Sequence, residues 1–95
     1  MNKIVVINPV DNVATCLTDM KTGDEAFVTV QDNQIVLKIK TDIPFGHKVA
    51  LMDIKAGTNV TKYAEVIGTA SQKISAGEHV HVHNLEGIRG RGDIA

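Results

Sequence analysis

Ile54-Lys55-Ala56-Gly57-Thr58-Asn59-Val60 and Ile74-Ser75-Ala76-Gly77-Glu78-His79-Val80 share one pattern, Ile-x-Ala-Gly-x-x-Val. Met20-Lys21-Thr22-Gly23-Asp24-Glu25-Ala26 is a looser third copy. An apolar anchor, then a Gly that tolerates a positive φ, predicts a tight turn that leads into a strand. The three copies are unevenly spaced, which indicates a reused turn and not a solenoid repeat. The motif therefore predicts a compact, irregular β fold of short strands.

Apolar or alternating runs on both sides of these turns predict the strands themselves. They cover residues 3–7, 27–30, 35–40, 48–54, 64–68 and 79–84. The second and third form a hairpin across a polar turn at 31–34. Pro44 and Gly46 break regular structure, so residues 41–47 are expected to form a loop.

One short helix is expected near the N-terminus, beginning at Asp11 or Asn12 as the N-cap and ending before Gly23. Its apolar stripe has the spacing i, i+3, i+4 and i+7 and consists of Val13, Cys16, Leu17 and Met20. Cys16 lies on this stripe, and no neighbouring residue would lower its pKa. The sequence therefore favours a structural thiol over a nucleophile at Cys16.

Length and composition indicate a single small domain with a thin core. The chain has 95 residues, of which 43% are hydrophobic, but only one Tyr and two Phe and no Trp. Few aromatic rings means less apolar area to bury, so we expect further stability from docking on a partner.

Charge and targeting signals exclude several function classes. The net charge of −1, with both signs interspersed, provides no basic surface for nucleic acid and no polybasic membrane patch. No apolar run approaches the ~20 residues that cross a bilayer. The N-terminus lacks the pattern of a signal peptide, and a single cysteine cannot form an internal disulfide. We therefore expect a cytoplasmic protein.

Three of the four histidines, His79, His81 and His83, alternate in the last predicted strand and should share one face, with Val80 and Val82 on the other. Neighbours at i and i+2 have Cα atoms about 6.5–7 Å apart, which suits two imidazoles on one metal ion. The outer pair would be about 13 Å apart, so one ion cannot take all three without a bend. His79 and His81 are the tentative metal ligands. A metal site, contacts to an anionic substrate and a solvated polar face all stay open.

Two further segments offer polar groups. His47 follows the Pro44-Phe45-Gly46 loop, where a side chain can be presented or simply exposed. Residues 87–95 form a Gly/Arg-rich tail whose Arg89 and Arg91 are candidate anion-binding residues. A flexible basic tail is the alternative. The tail leaves residues 1–86 as the predicted domain.

Three separated segments resemble the N-terminal SAF domain of the altronate and galactarate dehydratases. They are Ile43-Pro44-Phe45-Gly46-His47-Lys48-Val49-Ala50-Leu51, Lys62-Tyr63-Ala64-Glu65-Val66-Ile67-Gly68 and Gly77-Glu78-His79-Val80-His81-Val82-His83-Asn84. The likeness covers nearly the whole chain in order. It implies a β-clip fold that works beside a much larger catalytic domain. Ala64 departs from the pattern, because the family typically has Gly there, which puts only a turn conformation or close packing in doubt.

The resemblance implies a small subunit of a metal-dependent sugar-acid dehydratase, a lyase that is inactive alone. Its substrate would be a small hydroxy acid, and a large catalytic subunit would hold most of the Fe²⁺ or Mn²⁺. The matching positions are His47, His79, His81, His83 and Asn84, which the resemblance assigns to metal or substrate contacts at the edge of a shared site. The related sulfolactate sulfo-lyase alpha subunit and a stand-alone module binding a small anion or metal are the alternatives. Assembly into a homo-oligomer stays open.

Overall fold

Nine short strands form in residues 4–6, 8–30 and 33–87, the part of the chain that a computed structural model describes. They are β1 (Ile4–Val5), β2 (Val13–Cys16), β3 (Glu25–Val30), β4 (Asn33–Lys38), β5 (Lys48–Ala50), β6 (Asn59–Lys62), β7 (Glu65–Ala70), β8 (His79–Val80) and β9 (Leu85–Gly87). All pairings are antiparallel, in a sheet of order β1-β2-β5-β8, a β3-β4 hairpin and a sheet of order β6-β7-β9. The expected class, mainly β with short strands, is confirmed.

The predicted helix at residues 11–23 is wrong, because Val13–Cys16 is strand β2 and the described residues contain no helix. β2 lies between β1 and β5, so both of its edges are hydrogen-bonded, and core residues cover both of its faces. Val13 packs in one core cluster while Ala14 and Cys16 pack in the other. Leu17, which the helical stripe required to be inside, is exposed. A short apolar run buried on both faces cannot be told from a helix by periodicity alone.

Two isolated bridges show how the recurring turn is used. Met20 and Ile43 exchange a pair of backbone hydrogen bonds, both of 2.8 Å. Ile54 and Ile74 do the same, at 2.7 and 2.8 Å. The apolar anchors of the three motif copies therefore all lie at bridges, where one turn crosses another.

The surroundings of the two bridges also repeat. The Asp19 carboxylate accepts the Phe45 N–H at 2.7 Å, and the Asp53 carboxylate accepts the Ala76 N–H at 2.9 Å. Each acid precedes a motif anchor by one residue. The molecule thus contains the same crossed pair of turns twice, and the second copy leads directly into β8.

Two core clusters lie on opposite sides of the four-stranded sheet. The first consists of Ile4, Ala14, Cys16, Met20, Ala26, Val28, Leu37, Ile39, Ile43, Val49 and Leu51. The second consists of Val13, Ala50, Ile54, Val60, Ala70, Ile74 and Val80. Burial raises the pKa of the Cys16 thiol to about 11, which agrees with the structural role expected for it.

The hairpin between β6 and β7 turns on two non-glycine residues with positive φ, Tyr63 at 54° and Ala64 at 63°. The buried carboxylate of Asp11 accepts both of their backbone N–H groups, at 3.0 and 2.8 Å. The position where the family typically has Gly therefore needs a left-handed conformation. Asp11, expected to be a helix cap, instead fixes this turn.

Several predicted boundaries differ from those observed. The hairpin of 27–30 and 35–40 is present as β3 and β4, and 64–68 corresponds to β7. The strands expected at 48–54 and 79–84 end at Ala50 and Val80, because the chain turns after each. Residues 3, 7 and 31–32 and the tail from 88 onward lie outside the described residues.

Candidate functional site

Three imidazoles meet at one end of the four-stranded sheet. His47 comes immediately before β5, His79 begins β8, and His81 follows β8. One ring nitrogen from each can be chosen so that all three atoms lie within 4.8 Å of one another. Nδ1 of His47 is 2.8 Å from Nε2 of His79, and the His47 and His81 rings stack with centroids 4.3 Å apart. We call His47, His79 and His81 the histidine cluster.

The cluster arises from strand pairing and a bend, and not from alternation along one strand. β8 ends at Val80, and residues 81–84 turn. The rings of His79 and His83 have centroids 5.3 Å apart, and the segment between them bends, as the sequence required for this outer pair to approach. Val82, expected on the opposite face to the histidines, is 82% exposed within the turn.

His47 reaches the cluster because β5 pairs with β8, placing Val49 opposite His79. The turn before His47 is held in place by two hydrogen bonds. The Gly46 N–H donates to the Cys16 carbonyl at 2.9 Å, and the His47 N–H donates to the Pro44 carbonyl at 3.0 Å. Gly46 has a φ of 83°, which explains the glycine at this point of the loop.

Asn84, a candidate ligand in the sequence, is buried and hydrogen-bonded to the backbone of the cluster. Its Nδ2 donates to the His79 carbonyl at 2.8 Å, and its Oδ1 accepts the His81 N–H at 3.0 Å. The Thr41 hydroxyl accepts the His79 N–H at 2.9 Å. Both polar atoms of the Asn84 amide are therefore used in shaping the segment that carries the histidines.

Burial and neighbouring bases favour the neutral form of two imidazoles of the cluster, those of His79 and His81. Burial, followed by the neighbouring His47, His83, His81 and Lys48, lowers the pKa of His79 to about 4. Burial and then His47, Lys48 and His83 lower the pKa of His81. At neutral pH these rings are uncharged, and an uncharged imidazole has a lone pair free to bind a metal ion.

Lys48 adds positive charge beside the histidines. Its side chain is half-buried, and burial and then the nearby Lys62 lower its pKa. The charges that act on His79 and His81 come from other bases, with no carboxylate among them. The site as described is therefore suited to anionic groups as well as to a cation held by neutral nitrogen.

An open groove of about 360 Å³ borders His79. Its lining is formed by Asp19, Met20, Lys21, Asp42, Ile43, Pro44 and His79. One carboxylate oxygen of Asp42 accepts the N–H of Thr22 at 2.9 Å and its hydroxyl at 2.8 Å. The groove therefore places two carboxylates and one lysine ammonium group next to the histidine cluster.

The sequence predictions of the site are thus partly recovered. Of the candidate residues, His47, His79, His81 and His83 come together, and Asn84 lies against their backbone. Arg89 and Arg91 lie outside the described residues. Sequence patterns do not identify Thr41 or the groove residues. No local sequence motif distinguishes a Thr or Asp that approaches a histidine from a distant turn.

The short antiparallel strands are those expected of a SAF domain. The chain matches the family described as the altronate/galactarate dehydratase SAF domain over residues 2–87. It therefore belongs to the altronate/galactarate dehydratase SAF-domain family.

Individual relatives fall into two groups. The chain is 40% identical over 86 residues to the altronate dehydratase of Bacillus subtilis, an alignment that covers 90% of this chain and 16% of that enzyme. It is 43% identical over 67 residues to the (2R)-sulfolactate sulfo-lyase subunit alpha of Chromohalobacter salexigens, covering 70% of this chain and 68% of that subunit. The Paracoccus pantotrophus subunit alpha is 49% identical over 59 residues, 62% of this chain and 88% of that subunit. The match thus spans about one sixth of the altronate dehydratase and most of each alpha subunit.

Among residues 4–6, 8–30 and 33–87, nothing helical has the length and apolarity needed to span a bilayer.

Proposed function

We propose that this chain is the SAF-domain subunit of a metal-dependent sugar-acid dehydratase of the altronate/galactarate type, completing the active site of a separate large catalytic chain. The observation that carries the proposal is the histidine cluster, found in a member of this family. On its own the chain would be inactive.

The donor set fits a divalent metal ion. His47, His79 and His81 offer three ring nitrogens close together, and imidazole is a good ligand for divalent iron. Manganese prefers oxygen ligands, so Fe²⁺ suits these nitrogens better than Mn²⁺. The bound ion would polarise the carboxylate and hydroxyl of a 2-hydroxy acid and so make its α proton more acidic.

The described residues leave the chemistry incomplete, which supports a partner. The cluster contains three histidines and no carboxylate. A dehydratase also needs a general base for the α proton and an acid for the leaving hydroxyl. We assign the general base, the general acid and most of the metal coordination to the large chain.

The substrate would lie between the histidine cluster and the groove beside His79. Lys21 and Lys48 are cations that can attract the carboxylate, whereas Asp19 and Asp42 can accept hydrogen bonds from hydroxyl groups. A polyhydroxylated acid satisfies both needs. In this arrangement the chain binds and orients the substrate and does not itself move a proton.

The test is reconstitution with a large dehydratase chain from the same organism. We expect altronate or galactarate to be dehydrated only when both chains and Fe²⁺ or Mn²⁺ are present. His47→Ala should lower the rate of the pair at least tenfold, and the matched variant His83→Ala should lower it much less. Enzyme-like dehydration by this chain alone would overturn the proposal.

A second candidate function is that of a sulfo-lyase alpha subunit. Its support is that the match spans 68% and 88% of the length of two such subunits. The same reconstituted pair separates the two candidates. Sulfite release from (2R)-sulfolactate, without dehydration of sugar acids, would replace the first candidate by the second.

A cytoplasmic location is part of this proposal. Its support is the one cysteine, Cys16, which is free and buried. Fractionation of the host cell, with immunodetection of the chain, would test it.

A further inference from the structure

Two asparagines in this fold make the same clamp on the backbone. Asn84 donates from Nδ2 to the His79 carbonyl at 2.8 Å and accepts the His81 N–H at its Oδ1 at 3.0 Å. Asn12 donates from Nδ2 to the Asn59 carbonyl at 3.0 Å and accepts the Thr61 N–H at 2.8 Å. In both clamps one amide bonds residues i and i+2; Asn84 does so within its own turn, whereas Asn12 reaches a distant segment. Only the Asn84 clamp holds histidines.

The Asn84 clamp forms hydrogen bonds along the unpaired edge of β8. β8 is at the edge of the sheet, and its Glu78 carbonyl bonds inward to the Ala50 N–H at 3.0 Å. The N–H and C=O of His79 point the other way, where the described residues provide no neighbouring strand. Thr41 accepts that N–H and Asn84 donates to that C=O. Side chains thus satisfy the polar groups that a further strand would otherwise pair.

We infer that Asn84 is a positioning residue, whose amide holds His79 and His81 at the separation that the metal site requires. The inference rests on the proposed function, since it assumes that the histidine cluster binds a metal. The chain leaves β8 at Val80, so no strand pairing fixes His81. The Asn84 amide supplies that constraint through two hydrogen bonds made on either side of Val80.

Loss of Asn84 should lower metal affinity as does the loss of any group that orients a metal-binding side chain without contacting the metal. Loss of such groups typically weakens metal affinity by about 10–100-fold. Without the clamp, His81 would sample more backbone conformations, and binding would have to order them. Loss of either clamp leaves one N–H and one C=O without its partner, and the cost in stability should be larger for the buried Asn84 than for the half-buried Asn12.

The experiment compares Asn84→Ala with Asn12→Ala in the full chain. Fe²⁺ affinity is measured anaerobically by calorimetry, with Zn²⁺ as a second probe, and stability by urea denaturation. We expect Asn84→Ala to weaken binding at least tenfold and Asn12→Ala to leave it within about twofold. Equal losses in both variants, or unchanged affinity in Asn84→Ala, would overturn the inference.

A second pair of variants and a measurement on the metal-free chain distinguish loss of positioning from misfolding. Asn84→Ser and Asn12→Ser keep a small polar group, and the Asn84 variant should again lose more affinity. Imidazole ¹⁵N chemical shifts of the metal-free chain report the contact between His47 and His79 directly. We expect this contact to weaken in Asn84→Ser alone, and shifts identical to wild type would count against positioning.

The two hypotheses fail differently. A wild-type chain that binds neither probe even when reconstituted with the large chain would overturn the metal site of the proposed function. The ¹⁵N shifts would still decide whether Asn84 holds the imidazoles in place. Tight wild-type binding that survives Asn84→Ala would overturn only the positioning role.

Discussion

Nδ1 of His47 lies 2.8 Å from Nε2 of His79, although the two residues are 32 positions apart in the chain. The contact joins the Pro-Phe-Gly-His loop to the histidine segment, two of the three sequence features that carried the resemblance to the family. A pair of neutral imidazoles can share one hydrogen bond, since one ring nitrogen donates and the other accepts. The same two nitrogens become available to a metal ion when the shared proton moves to the other nitrogen of the ring that donates it.

Removal of any member of the cluster should weaken metal binding. We expect His47→Ala, His79→Ala and His81→Ala each to lower Fe²⁺ or Zn²⁺ affinity at least tenfold, because each removes one donor from a three-nitrogen set. His83→Ala is the matched control. Its ring is near His79 but outside the set, so the loss should be small. Titration calorimetry measures all four, and a loss in His83→Ala equal to the others would contradict the assignment.

Acid should destabilise the metal-free chain over a defined range. The pKa of His79 is about 4 in the folded state and about 6.5 in an unfolded chain, so between these values the unfolded state binds more protons. Stability is then fully present above pH 6.5 and falls as the pH is lowered toward 4. Urea denaturation across this range measures the slope. His79→Gln should reduce the slope, and an unchanged slope would show that other groups cause it.

Ala64→Gly should stabilise the chain by about 0.5–1 kcal/mol. Ala64 has a φ of 63°, which costs a residue with a Cβ about 1–2 kcal/mol, and the greater freedom of Gly in the unfolded chain offsets part of the gain. Ala56→Gly is the control, because Ala56 lies in a turn without a positive φ. That change should destabilise slightly. Urea denaturation of both variants decides, and a loss of stability in Ala64→Gly would contradict the strain argument.

Asp11→Ala should destabilise the chain by about 2–3 kcal/mol. It removes the acceptor of two backbone N–H groups from a side chain that is almost fully buried. Asp53→Ala removes the acceptor of one N–H at an exposed site and should cost less than about 1 kcal/mol. Thermal and urea unfolding give both values. Equal losses would show that burial of Asp11 does not matter.

Local patterns account for much of the fold. The alternation at residues 27–30 and 35–40 predicted the β3-β4 hairpin, and the Ala-Gly turns predicted short strands. The same reasoning placed a helix where β2 lies. The short apolar run around Val13 is compatible with a buried strand and with a helix. Only its position between β1 and β5 shows that it is a strand.

The histidine site likewise has features that the sequence predicted and features that only the folded chain shows. Clustering of His79, His81 and His83 was visible in the sequence, and the family motif added His47. That His47 and His81 stack could not be predicted, since it depends on the β5-β8 pairing and on a bend after Val80. Asn84 was identified as a candidate, but its contacts with the backbone, and the contact of Thr41 with His79, are features of the folded chain alone.

The sequence by itself therefore determined the mainly β class, the recurring turn, the family and a set of histidines that belong together. The tertiary structure alone decided that Val13–Cys16 is a central strand, that three imidazoles form one cluster, and that an asparagine amide holds two of them. The physical reason is the range of the interactions. Turn and strand preferences depend on neighbours along the chain, whereas the site depends on segments that meet only when two separate core clusters are buried.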